Sequence, residues 1–181
     1  MKVLVVVDMQ KDFIDGALGT KEAAEIVGDV VRRIEESEGE LILFTQDTHG
    51  EDYLQTSEGK KLPVVHCVKG TDGWKINENI IGAWRENKNT IVDAGLRENT
   101  FTKPVFGSVQ LVEFLQNRQG ISSIEVLGVC TDICVVSNAI MLKNALPNVE
   151  INVNAKCCAG VTPQSHNEAL NTMKMCQINI I

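Results

Sequence analysis

The sequence predicts a three-layer α/β fold on two observations. Apolar segments of strand length alternate with helical patterns along the whole chain, and the first strand is apolar without alternation, as strands buried on both sheet faces are. That strand, Lys2 to Val7, stops at polar Asp8. After a loop, Ala23, Val27, Val30, Val31 and Ile34 keep one face of a helix that Thr20 caps and Gly39 ends. Glu40 to Thr45 is a short apolar strand that completes a βαβ unit and implies parallel pairing. Residues 46–88 are polar and irregular, longer than compact domains use for a connection unless it carries function. Asn89 to Val92 and Asn99 to Lys103 read as extended, and Ser108 caps a helix with Leu111, Val112 and Leu115 on one side that stops near Gly120. Ser123 to Val129 is the next buried strand; the helix from Asp132 to about Ala145 buries Val135, Val136, Ala139, Ile140 and Leu142, and Pro147 blocks its continuation. Val149 to Val153 is another strand, a helix from about Pro163 carries Ala169, Leu170, Met173 and Cys176, and Gln177 to Ile181 closes as an edge strand. With no repeat or linker between them, residues 1–181 are expected to form one domain.

Composition narrows the function classes. Across 181 residues, 44% hydrophobic content and a net charge of −7 exclude a disordered chain. Lys and Arg form no stripe, which argues against nucleic acid and anionic membranes as partners and leaves a small molecule. The early apolar run Val3 to Val7 is far shorter than the ~20 residues that span a bilayer, and no secretory signal is visible. Six cysteines without a C-x-x-C pair then point to a reducing cytoplasm and mostly buried thiols. Apolar surface on the outer helices would permit a homo-oligomer.

In parallel α/β folds ligands sit beyond the carboxyl ends of the strands, so the polar residues that end them are the candidates. The first strand ends at Asp8, the extended piece near residue 100 ends at Lys103, and the strand 123–129 runs into Cys130-Thr-Asp-Ile-Cys134. A thiol in the first turn of a helix meets unpaired N–H groups and the positive end of the dipole, which favour a low-pKa, nucleophilic, fast-alkylating thiolate at Cys134. Singly, Cys134 also reads as a buried structural thiol, Asp8 as a turn residue and Lys103 as a surface amine. Together they make an acid to take and pass on the thiol proton, a cation to hold developing charge and a nucleophile. Asp47-Thr-His49 places two side chains on one side of an extended segment, and with His66 it offers a carboxylate and two imidazoles suited to Zn²⁺, Fe²⁺ or Mn²⁺, or else a polar loop pair. Glu58 is a further ligand or a solvated carboxylate; His166 reads as structural.

Val7-Asp-Met-Gln-Lys-Asp-Phe13 with Gly16-Ala-Leu18, Thr45-Gln-Asp-Thr-His49, Leu62-Pro-Val-Val-His-Cys-Val-Lys-Gly-Thr71, Lys103 and Gly128-Val-Cys-Thr-Asp-Ile-Cys134-Val resemble the nicotinamidase branch of the isochorismatase-like cysteine hydrolases, collinearly over nearly the whole chain. The resemblance implies a six-stranded, mostly parallel sheet in an α/β/α sandwich and an Asp8-Lys103-Cys134 triad. It also implies one divalent metal, Zn²⁺ first, on Asp47, His49 and His66 with Glu58 as an extra ligand. A cis Val129-Cys130 bond would make an oxyanion hole of the Cys130 and Cys134 N–H groups. Phe13, Phe106, Leu18 and Trp74 would wall a pocket for nicotinamide, with pyrazinamide as a second substrate, in NAD salvage. Trp84 reads as packing, and Leu62 stands where some relatives have an aromatic residue. Another, metal-independent hydrolase of the superfamily and a non-catalytic binding or interaction domain on the same fold are the competing readings.

Overall fold

The computed structural model describes residues 1–91 and 95–181. Its frame is one six-stranded sheet in the order β3-β2-β1-β4-β5-β6, and each strand runs parallel to its neighbours. The strands are β1 (Lys2–Val7), β2 (Glu40–Asp47), β3 (Thr100–Lys103), β4 (Ser123–Val129), β5 (Glu150–Ala159) and β6 (Asn179–Ile180). The helices are α1 (Lys11–Ile14), α2 (Lys21–Glu25), α3 (Val27–Glu35), α4 (Glu78–Glu86), α5 (Val109–Gln116), α6 (Val136–Ala145) and α7 (Pro163–Met175). They pack in two groups, α3 on α4 and α5, α6 and α7 in succession. This gives the three layers expected.

The central strands carry the core. Val3 to Val7 of β1 and Leu41 to Phe44 of β2 are essentially inaccessible to water, and each such side chain contributes roughly 1.5–3 kcal/mol. At the amino ends of the strands, Arg33 of α3 grips Glu125 of β4 with Nε and Nη2 and also reaches Glu40 of β2 at 2.8 Å, so the layers are tied by charge as well as by apolar packing. Among the described residues no helix is long and apolar enough to cross a membrane.

Several elements differ from expectation for local reasons. Residues 46–88 are not wholly irregular: Asn77 caps α4 by accepting from Asn79 N–H, and α4 buries Ile80, Ile81, Ala83 and Trp84. Trp84 stacks edge-on to Phe44, a core contact. Of the segment 89–92 read as a strand, Ile91 makes one bridge to Leu41, and Val92 lies outside the described residues. The helix read from Thr20 to Gly39 divides at Ile26. Beyond Val153, β5 continues through polar Asn154 to Lys156 and rejoins β4 after a register shift between Val126 and Gly128. Before α6, residues 131–135 form a wider π turn, which begins at the strand end of β4.

The order of strands reverses between β1 and β4, and there the ends of neighbouring parallel strands splay into a crevice. Gly128 makes that junction possible, because its φ of +118° suits glycine and a Cβ would press into the Val7 carbonyl. Gly128→Ala is expected to cost about 3 kcal/mol or more, read as a lower urea midpoint at unchanged slope. An unaltered midpoint would refute the close-approach account.

Candidate functional site

Asp8 leaves β1 with φ +47°, a left-handed turn that swings its carboxylate into the β1/β4 crevice. One oxygen accepts from Thr45 Oγ1 at 2.7 Å, and the other meets Lys103 Nζ at 2.6 Å. The same ammonium lies 3.5 Å from Cys134 Sγ and 3.5 Å from the second carboxylate, Asp47 Oδ1. Asp8, Lys103 and Cys134 are thus brought together as expected from the strand ends, and all three are buried. The Val129-Cys130 peptide is cis, at the entry to the π turn that carries Cys134.

The electrostatics correct one expectation. The start of a helix was expected to lower the Cys134 thiol; instead burial pushes it well above the ordinary range, the Asp8 carboxylate adds to the rise and Lys103 opposes it. Burial likewise raises the Asp8 carboxyl, against the pull of Lys103. Lys103 itself is raised, because Asp8, Cys134 and Asp47 overcome its own desolvation. Burial thus holds the thiol toward its neutral form beside the Asp8–Lys103 ion pair. Since desolvation lifts both acids, Asp8 remains basic enough to exchange a proton with the thiol.

The second cluster adjoins the first through Asp47. A bridge between His49 and Val68, with His49 N–H donating to Cys67 carbonyl at 3.0 Å, folds the long loop back so that His66 faces the end of β2. Donor atoms of Asp47, His49 and His66 all lie within 4.8 Å of one another. His66 Nδ1 meets Val64 carbonyl at 2.8 Å, so this nitrogen carries the hydrogen and Nε2 presents its lone pair toward Asp47 Oδ2, 3.6 Å away. Buried His49 Nε2 has no hydrogen bond of acceptable geometry, although Asp47 Oδ2 is 2.9 Å distant. Electron-rich atoms converging without a proton between them suit a cation, and one carboxylate with two imidazoles is a zinc-type donor set. Burial alone would raise the Asp47 carboxyl, but the two adjoining imidazoles and the Lys103 ammonium hold it below the usual carboxylate range. Glu58 Oε1 stands 3.8 Å from His49 Nε2 and is partly exposed, at the edge of this group.

Four residues to which the sequence reading gave no role hold these parts in place. Gln10, fully buried, accepts from Asp47 N–H at 2.7 Å and donates to the carbonyls of Asp47 and Trp74 at 2.9 and 2.8 Å. Asp12 Oδ2 accepts from Cys67 N–H at 2.7 Å, beside His66. Thr45 orients Asp8. Tyr53, the only tyrosine, is buried with its ring 4.5 Å from His49 and 4.9 Å from His66, and its hydroxyl donates to Leu62 carbonyl at 3.0 Å. Gln10 and Asp12 were signalled only by being polar in the segment after Asp8, and Tyr53 only by the scarcity of rings.

Among the expected wall residues, the Phe13 ring is 5.5 Å from that of His66. Leu18 is half-buried after α1, its N–H donating to Asp12 carbonyl at 2.8 Å, and Phe106 is half-exposed in the loop after β3. Trp74 donates to Thr48 Oγ1 at 2.8 Å and lines a different cavity of about 820 Å³ with Ile76, Ile81, Arg85 and Thr102, which includes no member of either cluster. His166 Nδ1 pairs with Thr131 Oγ1 at 2.8 Å, consistent with a structural part.

Comparison with known proteins places this geometry in context. The model of the isochorismatase domain matches residues 2–181. The nicotinamidase/pyrazinamidase of Mycobacterium tuberculosis is 24% identical, over 100% of this chain and 98% of its own length. The pyrazinamidase of Pyrococcus horikoshii, solved in complex with zinc, superposes with a TM-score of 0.76 at 28% identity over 99% of this chain and 98% of its own. The pyrazinamidase/nicotinamidase of Streptococcus mutans shares the fold with a TM-score of 0.80 at 24% identity, over the full length of both chains.

Lys103→Met leaves two buried carboxylates without their cation, and the metal-free variant is expected to lose about 3–5 kcal/mol near pH 7. Without the ammonium, the already raised Asp8 titrates higher still, so the charged form destabilises above that point and protonation relieves it. The deficit against wild type therefore shrinks on acidification toward about pH 5, measured by urea unfolding at both values. A deficit that grows in acid would contradict this placement of charge.

Proposed function

The chain belongs to the isochorismatase family, and from that premise we propose that it is a nicotinamidase, hydrolysing nicotinamide to nicotinate and ammonia in recovery of the pyridine ring for NAD, with pyrazinamide as a second substrate. One observation carries the reading: a single buried ammonium, Lys103, joins the Asp8/Cys134 pair to the Asp47, His49 and His66 donor set. An amide-cleaving nucleophile and a cation site are thereby within reach of one small substrate. The relatives named nicotinamidase and pyrazinamidase and the zinc complex support it.

In this mechanism Asp8 takes the Cys134 proton as sulfur attacks the carboxamide carbon. The N–H groups of Cys130 and Cys134 receive the developing oxyanion, assisted by Lys103. Protonated Asp8 gives its proton to the amide nitrogen, the C–N bond breaks and ammonia leaves a thioester. Asp8 then deprotonates a water that attacks the thioester; the C–S bond breaks, and the proton returns to the thiolate. Asp47, His49 and His66, with Glu58 at the edge, would hold one divalent ion, Zn²⁺ first and Fe²⁺ or Mn²⁺ as substitutes, supplying a Lewis acid for the pyridine nitrogen. Phe13 packs on the ring, and Phe106 and Leu18 complete the wall. The placement of Trp74 favours the other cavity for that residue.

Purified protein supplied with Zn²⁺ is expected to release ammonia from nicotinamide, and Cys134→Ala or Asp8→Asn to lower kcat by about 10³-fold or more. His66→Ala should cut bound zinc, by elemental analysis, and activity together, by roughly tenfold to a hundredfold. No ammonia with Zn²⁺, Fe²⁺ or Mn²⁺, or full activity in Cys134→Ala, would end this reading.

A further inference from the structure

The loop 104–108 joins Lys103 to α5 and carries Phe106, and its backbone is docked on α6 by one side chain. Asn138, fully buried one turn after Cys134, accepts from Ser108 N–H at 2.9 Å and donates to Phe106 carbonyl at 3.2 Å and to Cys134 carbonyl at 2.8 Å. The loop is also pressed against the same helix face: a Cβ on Gly107 would run into Met141 and meet Ser137. One acceptor and two donors on a side chain of this size require a carboxamide. An ionised Asp keeps only the acceptor, and Leu has neither.

We propose that Asn138 is a positioning residue. Its amide locks the Phe106 loop to the backbone of the nucleophile and so sets the gap between that wall and the Cys134 thiol, which selects amides on a flat ring. The inference rests on the nicotinamidase reading for its natural substrate and for Phe106 as a wall, while the tie from Asn138 to the backbones of Phe106 and Cys134 is a property of this fold. Loss of the two donated bonds frees the loop without removing any group that reacts.

The test compares wild type, Asn138→Asp, Phe106→Ala and the double variant. With nicotinamide, Asn138→Asp is expected to raise KM about tenfold, more than it lowers kcat, and to add little in the Phe106→Ala background, because both changes remove the same wall. A purely structural lesion lowers the folded fraction, and with it kcat, while leaving KM alone and multiplying with Phe106→Ala; either pattern overturns the proposal. A second arm needs no turnover: alkylation of Cys134, followed by peptide mass, with iodoacetamide and with its N-phenyl analogue. The ratio of the two rates should shift about threefold or more in Asn138→Asp, and an unchanged ratio refutes the role. If wild type releases no ammonia, the functional reading falls and this ratio still decides on Asn138. If Asn138→Asp does not fold, Gly107→Val, which lifts the loop from Met141, is expected to shift the ratio in the same way, and no shift there counts against the proposal.

Discussion

A buried ammonium held between two carboxylates is the constraint on which the rest of this centre depends. Lys103 Nζ touches Asp8, Asp47 and Cys134 at once, and removing such a cation from water is tolerable only because its partners come from the ends of adjacent strands in a rigid sheet. Asp47 and Lys103 are register partners on β2 and β3, while Asp8 follows β1 beside them. Parallel pairing therefore fixes the charges to one another before any loop is placed. The charge balance also has a direction. Two carboxylates against one ammonium leave a net negative charge, and that surplus sits on Asp47, facing two imidazole nitrogens. A metal ion at that point would relieve an imbalance that the triad itself creates, which links the two clusters energetically as well as spatially.

The same burial explains how Cys134 can be a nucleophile although its thiol is raised. A helix start alone would favour a thiolate, but burial strips a thiolate of water and the neighbouring Asp8 carboxylate repels it, and these outweigh the pull of Lys103. What matters for proton transfer is the difference between donor and acceptor, and desolvation lifts both. Lys103 stabilises whichever of the two carries the charge, so negative charge can pass from oxygen to sulfur without meeting a new environment.

Much of this was legible in the sequence, for identifiable reasons. Strand ends turn polar abruptly at Asp8, Asp47 and Lys103, and parallel topology then forces those residues to one edge of the sheet. The spacing of Asp47 and His49 survived because the chain just past the end of β2 stays held, Thr48 N–H donating to Lys103 carbonyl and His49 bridging to Val68. The supports were hidden, since Gln10, Asp12 and Asn138 act by side-chain bonds to backbone groups 37, 55 and 30 residues away, and no local pattern encodes such partners. Helix α4 was obscured by the polar residues around it, its apolar face being only Ile80, Ile81, Ala83 and Trp84. The sign of the Cys134 shift was missed for the same reason: it is set by tertiary burial and a neighbour from another strand.

The supports share a logic that the reacting residues do not. Gln10 clamps the backbone of Asp47, Asp12 that of Cys67 beside His66, and Asn138 that of Cys134. In each case a polar side chain, buried in Gln10 and Asn138 and half-buried in Asp12, fixes the main chain at or next to a functional residue, leaving the functional side chain free to bind or react. Fixing the side chain directly would occupy the lone pairs that chemistry needs. Fixing the backbone leaves them available and still removes rotational freedom, so orientation is secured before the substrate arrives. The unsatisfied Nε2 of His49, held at its backbone by Cys67, is the clearest instance, because its lack of a partner is the property a ligand atom must have.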